Sequence, residues 1–373
     1  LESLPWLVNK LRKARSNWRR NLYVVWLAEV LAIMGFNSAL PFLPYYVQEL
    51  GVTVPGQVEL WTGLLFSAHA LTMGIMGPVW GTLADRLGRK LMLERALFGG
   101  ALLLGAMAFV SNVQQLLVLR TLQGAVTGTV AASTTLVAAG TPKDQRAFGL
   151  GILQAGVYIG GFLGPMVGGF MADIYGYQAP FLLTGVLLAA GGILVAVMVR
   201  EVLPANVQKE DNSFVQGLRL VLRSPGVLSV FGMRLLVRSA LRTVNPILPL
   251  FVQALVMTQT RLASLMGLIT SVRMATSAVG SVVVGRIGDR LGLRRILLIL
   301  VTVSAICYLL QGLVGNVLQL LFLQALAGLV IGGILTLLNA MLARSAPEGH
   351  HGVVFGVDTT VASAANAVGP MLG

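Results

Sequence analysis

The chain has 373 residues, of which 56% are apolar and only 11% charged, against roughly a quarter charged in a soluble domain. With a mean hydropathy of +0.81, it carries more apolar surface than one soluble core can hide, which excludes a soluble enzyme and a disordered chain alike. The net charge of +13 would suit nucleic acid only if the cations were not distributed beside apolar spans, as they are here.

Residues 1–20 are basic, with Leu4, Trp6, Leu7 and Leu11 spaced to form an apolar stripe, the pattern of a helix lying on anionic lipid. A helix needs about 20 apolar residues to cross the hydrocarbon. Segments that qualify run over 22–47, 60–83, 91–110, 114–138, 147–171, 179–199, 227–256, 263–287, 296–314, 318–342 and 352–373, about eleven crossings on transfer logic. The stretch 201–225, with Lys209, Glu210 and Asp211, is the one long polar connection. It reads as a cytoplasmic linker between a bundle over 21–200 and a second over 226–373. Cys307, alone and in an apolar run, excludes an internal disulfide framework and a cysteine metal cluster.

The cations fix an orientation. Lys10 to Arg20 precede the first span; Arg86, Arg89 and Lys90 follow the second, Lys143 and Arg146 the fourth, Arg200 to Arg223 the sixth. Arg286 to Arg295 follow the eighth and Arg344 the tenth, whereas the alternate loops hold Arg261 alone. By the positive-inside rule the N-terminus is cytoplasmic, and the basic balance needs no nucleic acid.

The two halves repeat. Pro41-Phe-Leu-Pro44-Tyr-Tyr-Val-Gln48 returns as Pro246-Ile-Leu-Pro249-Leu-Phe-Val-Gln253, and Asp85-Arg-Leu-Gly88 as Asp289-Arg-Leu-Gly292. Val113 to Leu117 returns at Val317 to Leu321, and Gly164-Pro165-Met as Gly369-Pro370-Met, all at an offset of 204 or 205 residues. Duplicated halves related by an axis along the membrane normal are a recurrent transporter design. At that offset the counterpart of the sixth span falls beyond residue 373, so the expected architecture is a twelve-helix bundle lacking its C-terminal helix.

Gly81-Thr-Leu-Ala-Asp85-Arg86-Leu-Gly88-Arg89-Lys90 resembles the signature loop of the major facilitator superfamily, with a weaker second copy around Asp289 and Arg290. Arg120, in Leu119-Arg120-Thr-Leu-Gln-Gly124, resembles the family's intramembrane arginine motif. Gly160-Gly-Phe-Leu-Gly164-Pro165-Met-Val-Gly168-Gly169 is similar to the fifth-span motif of its drug:proton antiporters. The resemblance covers nearly the whole chain and is greatest to bacterial twelve-helix multidrug exporters. It implies an all-α integral membrane protein of two pseudo-symmetric six-helix bundles in the bacterial plasma membrane.

Physics assigns these motifs different work. Asp85 suits a neighbouring helix N-terminus, where the dipole stabilises a carboxylate; Arg86 and Arg89 suit the seam between halves; Gly81 and Gly88 permit tight turns and close approach. The loop therefore reads as a cytoplasmic gate, or as a topology-setting basic loop. Gly156, Gly160, Gly164 and Gly168 leave one bare helix face for close packing, and Pro165 permits a bend.

Ionisable groups inside spans are costly and usually functional: Glu29, His69, Arg120, Arg234, Arg238, Arg242, Arg273 and Asp358. Glu29 and Arg234 are repeat equivalents, and so are His69 and Arg273. In the fold that the family resemblance implies, the first and seventh helices border a central cavity, so Glu29 and Arg234 are expected to face each other there. Glu29, and secondarily Asp358, reads either as a proton-coupling or substrate-contact group or as half of a static ion pair. His69 reads as a packing residue, and Arg120 as part of the relay or the cavity wall. Arg234, Arg238 and Arg242 share one stripe at i, i+4 and i+8, a ridge the family resemblance does not call for.

Two transport readings follow: proton-driven export of small amphipathic molecules, or movement of an organic anion or acidic lipid along the arginine ridge. No nucleoside-phosphate loop, metal-spaced set or Gly-x-Ser-x-Gly elbow supports an enzyme. No cofactor or metal is called for. The expected partners are protons, a small-molecule substrate and the bilayer, and the expected state is a monomer.

Overall fold

The computed structural model describes residues 5–54, 56–142, 145–201, 225–256, 261–345 and 351–372; most of the 201–225 connection lies outside them. Every regular element among these residues is helical. The basic segment and the first span form one helix, α1 (Pro5–Ala39), which passes through a 3-10 turn at Leu40–Phe42 into α2 (Leu43–Glu49). Pro41 and Pro44 stand in the first turns of these two short elements, where a missing N–H costs no hydrogen bond. The first half continues as α3 (Gln57–Leu87), α4 (Arg89–Met107), α5 (Val113–Val126), α6 (Thr129–Gly140), α7 (Arg146–Tyr175) and α8 (Ala179–Met198). The second comprises α9 (Pro225–Leu255), α10 (Leu262–Leu291), α11 (Leu293–Gln311), α12 (Val317–Ser345) and α13 (His351–Leu372).

Among the described residues, eight helical stretches are long and apolar enough to cross a membrane. They carry exposed Leu71, Val197, Leu236, Leu309 and Leu318, while Glu29, Arg120, Arg234, Gln324 and Asp358 are buried in the bundle. Apolar outside and polar inside is the pattern of a chain dissolved in lipid: this is an integral membrane protein.

The fourth span departs from the continuous helix expected over 114–138. It breaks between α5 and α6, where Thr127 is extended and Gly128 takes φ 132°, open to glycine at no steric cost. The break is satisfied locally. The Gln123 carbonyl accepts from Thr127 N at 2.8 Å and Thr127 Oγ1 at 2.7 Å, and the Ala125 carbonyl accepts from Trp80 Nε1 at 2.6 Å.

The bare face of α7 lies on α1. A Cβ on Gly160 would stand 2.7 Å from the Val30 carbonyl oxygen, and one on Gly168 would collide with that of Ser38. The helix runs unbroken through Pro165. The repeat is also visible in three dimensions: Gly124 presses on the His69 carbonyl and Thr72 Oγ1, and Gly328 on the Arg273 carbonyl and Thr276 Oγ1, each pair of partners 204 residues apart. One face is not matched. In the first half α8 covers α1 and α4; the equivalent groove between α9 and α11, about 500 Å³ and lined by Leu241, Leu248, Phe251 and Tyr308, has no such cover among the described residues.

The halves meet towards the face remote from the N-terminus, the far face. Tyr45 Oη donates to the Pro249 carbonyl at 2.5 Å. Gln48 and Gln253 exchange amide hydrogen bonds at 3.1 and 3.2 Å, and Ser271 Oγ donates to the Phe162 carbonyl at 2.7 Å. Gly63 abuts Pro370 and Gly74 abuts Ser363, closing α3 on α13.

Overpacking the α1–α7 contact should be expensive. Gly168→Val is expected to lower stability by about 3 kcal/mol, read as a drop in the melting temperature of detergent-solubilised protein. Gly151→Val, where a Cβ meets nothing within 4 Å, should leave the melt unchanged.

Candidate functional site

Glu29 sits about two-thirds of the way along α1, 2% exposed. Ser133 Oγ of α6 donates to its Oε2 at 2.6 Å, while Oε1 has no hydrogen-bond partner. A cavity of about 130 Å³ opens on this carboxylate, lined also by Ser133, Thr134, Leu153 and Gln154. None of its lining residues is cationic. A carboxylate so enclosed is poorly solvated, and one of its oxygens is left unsatisfied.

The expected encounter of Glu29 with Arg234 does not occur. Each turns into its own half. Arg234 donates through Nη1 to Asn339 Oδ1 at 2.9 Å and through Nη2 to Asp358 Oδ2 at 2.7 Å, and its Nε stands 2.5 Å from Asp358 Oδ1. The guanidinium thus meets the carboxylate through one hydrogen bond and one further charge contact. The physical reason lies in the repeat: α1 is clasped by α6 and α7 within the first half, and α9 by α12 and α13 within the second. Equivalent positions therefore look at equivalent neighbours. Ser133 and Asn339, 206 residues apart, fill one role; Asp358 has no acidic counterpart, since Leu153 and Gln154 occupy that place.

The arginine ridge is correspondingly shorter than its spacing suggested. Arg238 Nη2 lies 3.7 Å from Asp358 Oδ2, so one carboxylate serves both Arg234 and Arg238. Arg242 stands apart. It is exposed yet lies beside α13, where Gly369 approaches its Cβ, and within electrostatic reach of His69 on α3 and Arg273 on α10. The space it opens on is therefore internal, between the halves.

Arg120 is 1% exposed. Its Nη1 donates to Gln123 Oε1 at 2.6 Å and its guanidinium lies 5.6 Å from the Phe66 ring centre. Nε and Nη2 have no hydrogen-bond partner. Its repeat equivalent, Gln324, instead donates to Gln311 Oε1 at 3.0 Å.

In the loop after α3, Gly88 has φ 101°, as the tight turn requires. Glu201 accepts from Arg89 N at 3.0 Å and Lys90 N at 2.8 Å, capping α4. Gly81 is exposed, with nothing within 4 Å of where a Cβ would stand, and Arg86 is exposed. The side chains of Asp85, Asp289 and Arg290 lie outside the described residues. Ser133, Asn339, Gln123 and the Gln48–Gln253 pair have no role of their own in the sequence reading, since they are neutral residues in apolar or loop-adjacent runs. The repeat offset applied to Glu29's neighbours was the available signal.

Comparison with known proteins completes the picture. The family model described as Major Facilitator Superfamily matches residues 25–267 and 230–373. The chain is similar to the multidrug resistance protein MdtG of Rahnella sp. (strain Y9602), 35% identical over 96% of this chain and 87% of that protein. In fold it resembles the bacterial homolog of the human lysosomal transporter Spinster, with a TM-score of 0.77 at 15% identity over 96% of this chain and 81% of that one. It also resembles the nucleoside transporter NupG, with a TM-score of 0.77 at 13% identity over 94% and 89%.

The Asp358 pair invites a direct test. Asp358→Leu alone should cost about 3–5 kcal/mol by stranding a buried guanidinium, whereas adding Arg234→Leu should recover most of it. Thermal melts of the two singles and the double decide; equal loss in Asp358→Leu and the double would show that the two groups do not act as a pair.

Proposed function

Because the chain is a member of the Major Facilitator Superfamily, a family of transporters rather than enzymes, and so a secondary transporter of small molecules, we propose that it exports small amphipathic molecules in exchange for protons, in the manner of a multidrug efflux pump. The two halves rock about the seam so that the internal space opens to one side of the bilayer at a time. The 35% identity to a multidrug resistance protein over most of both chains supports the substrate class.

The observation that carries the coupling is the half-satisfied Glu29. An exchanger needs a group that is protonated in one orientation and deprotonated or ligand-bound in the other. Asp358 is held by Arg234 and Arg238, leaving it the static partner. Glu29 has one oxygen held by Ser133, one free, and a cavity against it. Arg120, Arg234, Arg238 and Arg242 then serve as the cavity's charged wall.

Orientation follows from the cation distribution, with the N-terminus cytoplasmic in a bacterial inner membrane. The far face is then external and closed, and the internal space opens to the cytoplasm. Gly81, Asp85, Arg86, Gly88 and Arg89, with Asp289 and Arg290, form the gate that closes when the far seam parts. Gly156, Gly160, Gly164 and Gly168 hold α7 on α1 while Pro165 accommodates its bending. One copy of the chain suffices for this cycle.

In inverted membrane vesicles with an acidified lumen, the unmodified protein should accumulate a cationic amphiphilic dye. Glu29→Gln should reduce that uptake to the level of empty vesicles while dye–dye exchange at equal pH continues. Undiminished gradient-driven uptake in Glu29→Gln would remove the coupling assignment.

A further inference from the structure

Among the described residues, helix α10 begins without a cap of its own. Its N-cap is Arg261, whose carbonyl accepts from Leu265 N at 3.1 Å. An arginine side chain has no acceptor to offer the next N–H groups. Three other helices that start on the far face supply themselves. Asn112 Oδ1 accepts from Gln115 N at 2.9 Å to open α5, and Asn316 Oδ1 from Gln319 N at 2.9 Å to open α12. At the start of α3, the first-half counterpart of α10, Glu59 accepts from Gly56 N at 2.8 Å.

For α10 the missing acceptor comes from the other half. Asp173, in the last turns of α7, accepts from Ala263 N through Oδ1 at 3.0 Å and from Ser264 N through Oδ2 at 2.8 Å. These are the N2 and N3 donors that a residue's own N-cap side chain would normally satisfy. Two further features look unfavourable until this contact is considered. A carboxylate near the C-terminus of its own helix opposes that helix's dipole, and Asp173 stands there. Arg261 has φ 64°, the left-handed region that non-glycine residues avoid, and is the only such residue among those described. Both are compensated when α7 ends against the start of α10.

We propose that Asp173 is the latch of the far gate: it is the N-cap of α10 supplied across the seam, and parting the halves on that face must break it. The seam beneath is built to bring the two ends together, with Gly169 against the Ala263 carbonyl and Gly267 against that of Pro165. The other described hydrogen bonds between halves, at Tyr45, Gln48 and Ser271, join neutral groups. The one at Asp173 is charge-assisted and reads a helix dipole as well, so it outweighs each of them. This assignment rests on the halves rocking as proposed above, but not on Glu29 or on what is carried.

The test uses cysteine accessibility in the full chain with Cys307→Ser, which removes the sole cysteine. Leu248→Cys reports the far seam: Leu248 is 4% exposed and packs among residues of both halves. Arg242→Cys reports the internal space from the N-terminal face. In Asp173→Asn and Asp173→Ala, labelling of Leu248→Cys by an impermeant maleimide added on the far side should rise about tenfold. Labelling of Arg242→Cys from the opposite side should fall, and Asp173→Glu should behave nearly as the parent. Unchanged rates in both variants would overturn the latch. So would a rise at both probes together, because that marks loosening of the whole bundle and not an exchange of faces. A pH gradient imposed on the parent separates the two ideas: if its probes respond reciprocally while the Asp173 variants match it, the latch alone falls. If the parent's probes never change, alternating access falls and the latch with it.

Discussion

One helix has to lie against two partners at once. α7 packs on α1 inside its own half and on α10 in the other, and at the contacts the backbones leave no room for a Cβ: Gly160, Gly164 and Gly168 on one side, Gly169 and the Pro165–Gly267 approach on the other. In lipid there is no hydrophobic gain from bringing apolar helices together, so close packing and local polar bonds carry the association. The cavity at Glu29, lined from α1, α6 and α7, exists because α7 is held that close to α1. The far seam exists because the same helix offers its second face to α10.

The duplication gives the interior its plan and divergence gives it chemistry. Glu29 and Arg234 occupy equivalent positions, yet one carries a negative and the other a positive charge. Ser133 and Asn339 answer them in equivalent ways. Only the second half adds a counter-ion, Asp358. The result is one buried cluster in which opposite charges meet and one carboxylate whose cavity holds no cationic side chain. An ion pair removed from water is stable chiefly while both partners remain, which suits a fixed wall. A lone carboxylate in a small cavity suits a group whose charge state changes as its surroundings change.

Much of this was legible in the residues. The spans, the repeat, the bare face of α7 and the buried ionisable residues all follow from apolar run lengths, a constant offset and the cost of charge in hydrocarbon. What the residues could not supply was direction around each helix. Glu29 and Arg234 were matched in depth by the offset, but depth does not fix azimuth, and the structure turns them apart. The break at Gly128 was hidden because one glycine in an apolar run is as compatible with a straight helix as with a kink. Asp173 carried no signal of its own in the sequence; its meaning lies in a helix start nearly ninety residues on, where an arginine occupies the N-cap position.

The reciprocal amide pair at the far face has a geometric consequence. Gln48 and Gln253 are the same position in the two copies, and each donates to the other. A position can touch its own equivalent only on the dyad that relates them, so this pair marks where the pseudo-twofold axis leaves the protein. Two unjoined six-helix units would make the same handshake as a homodimer, and neither would need a residue it did not already possess.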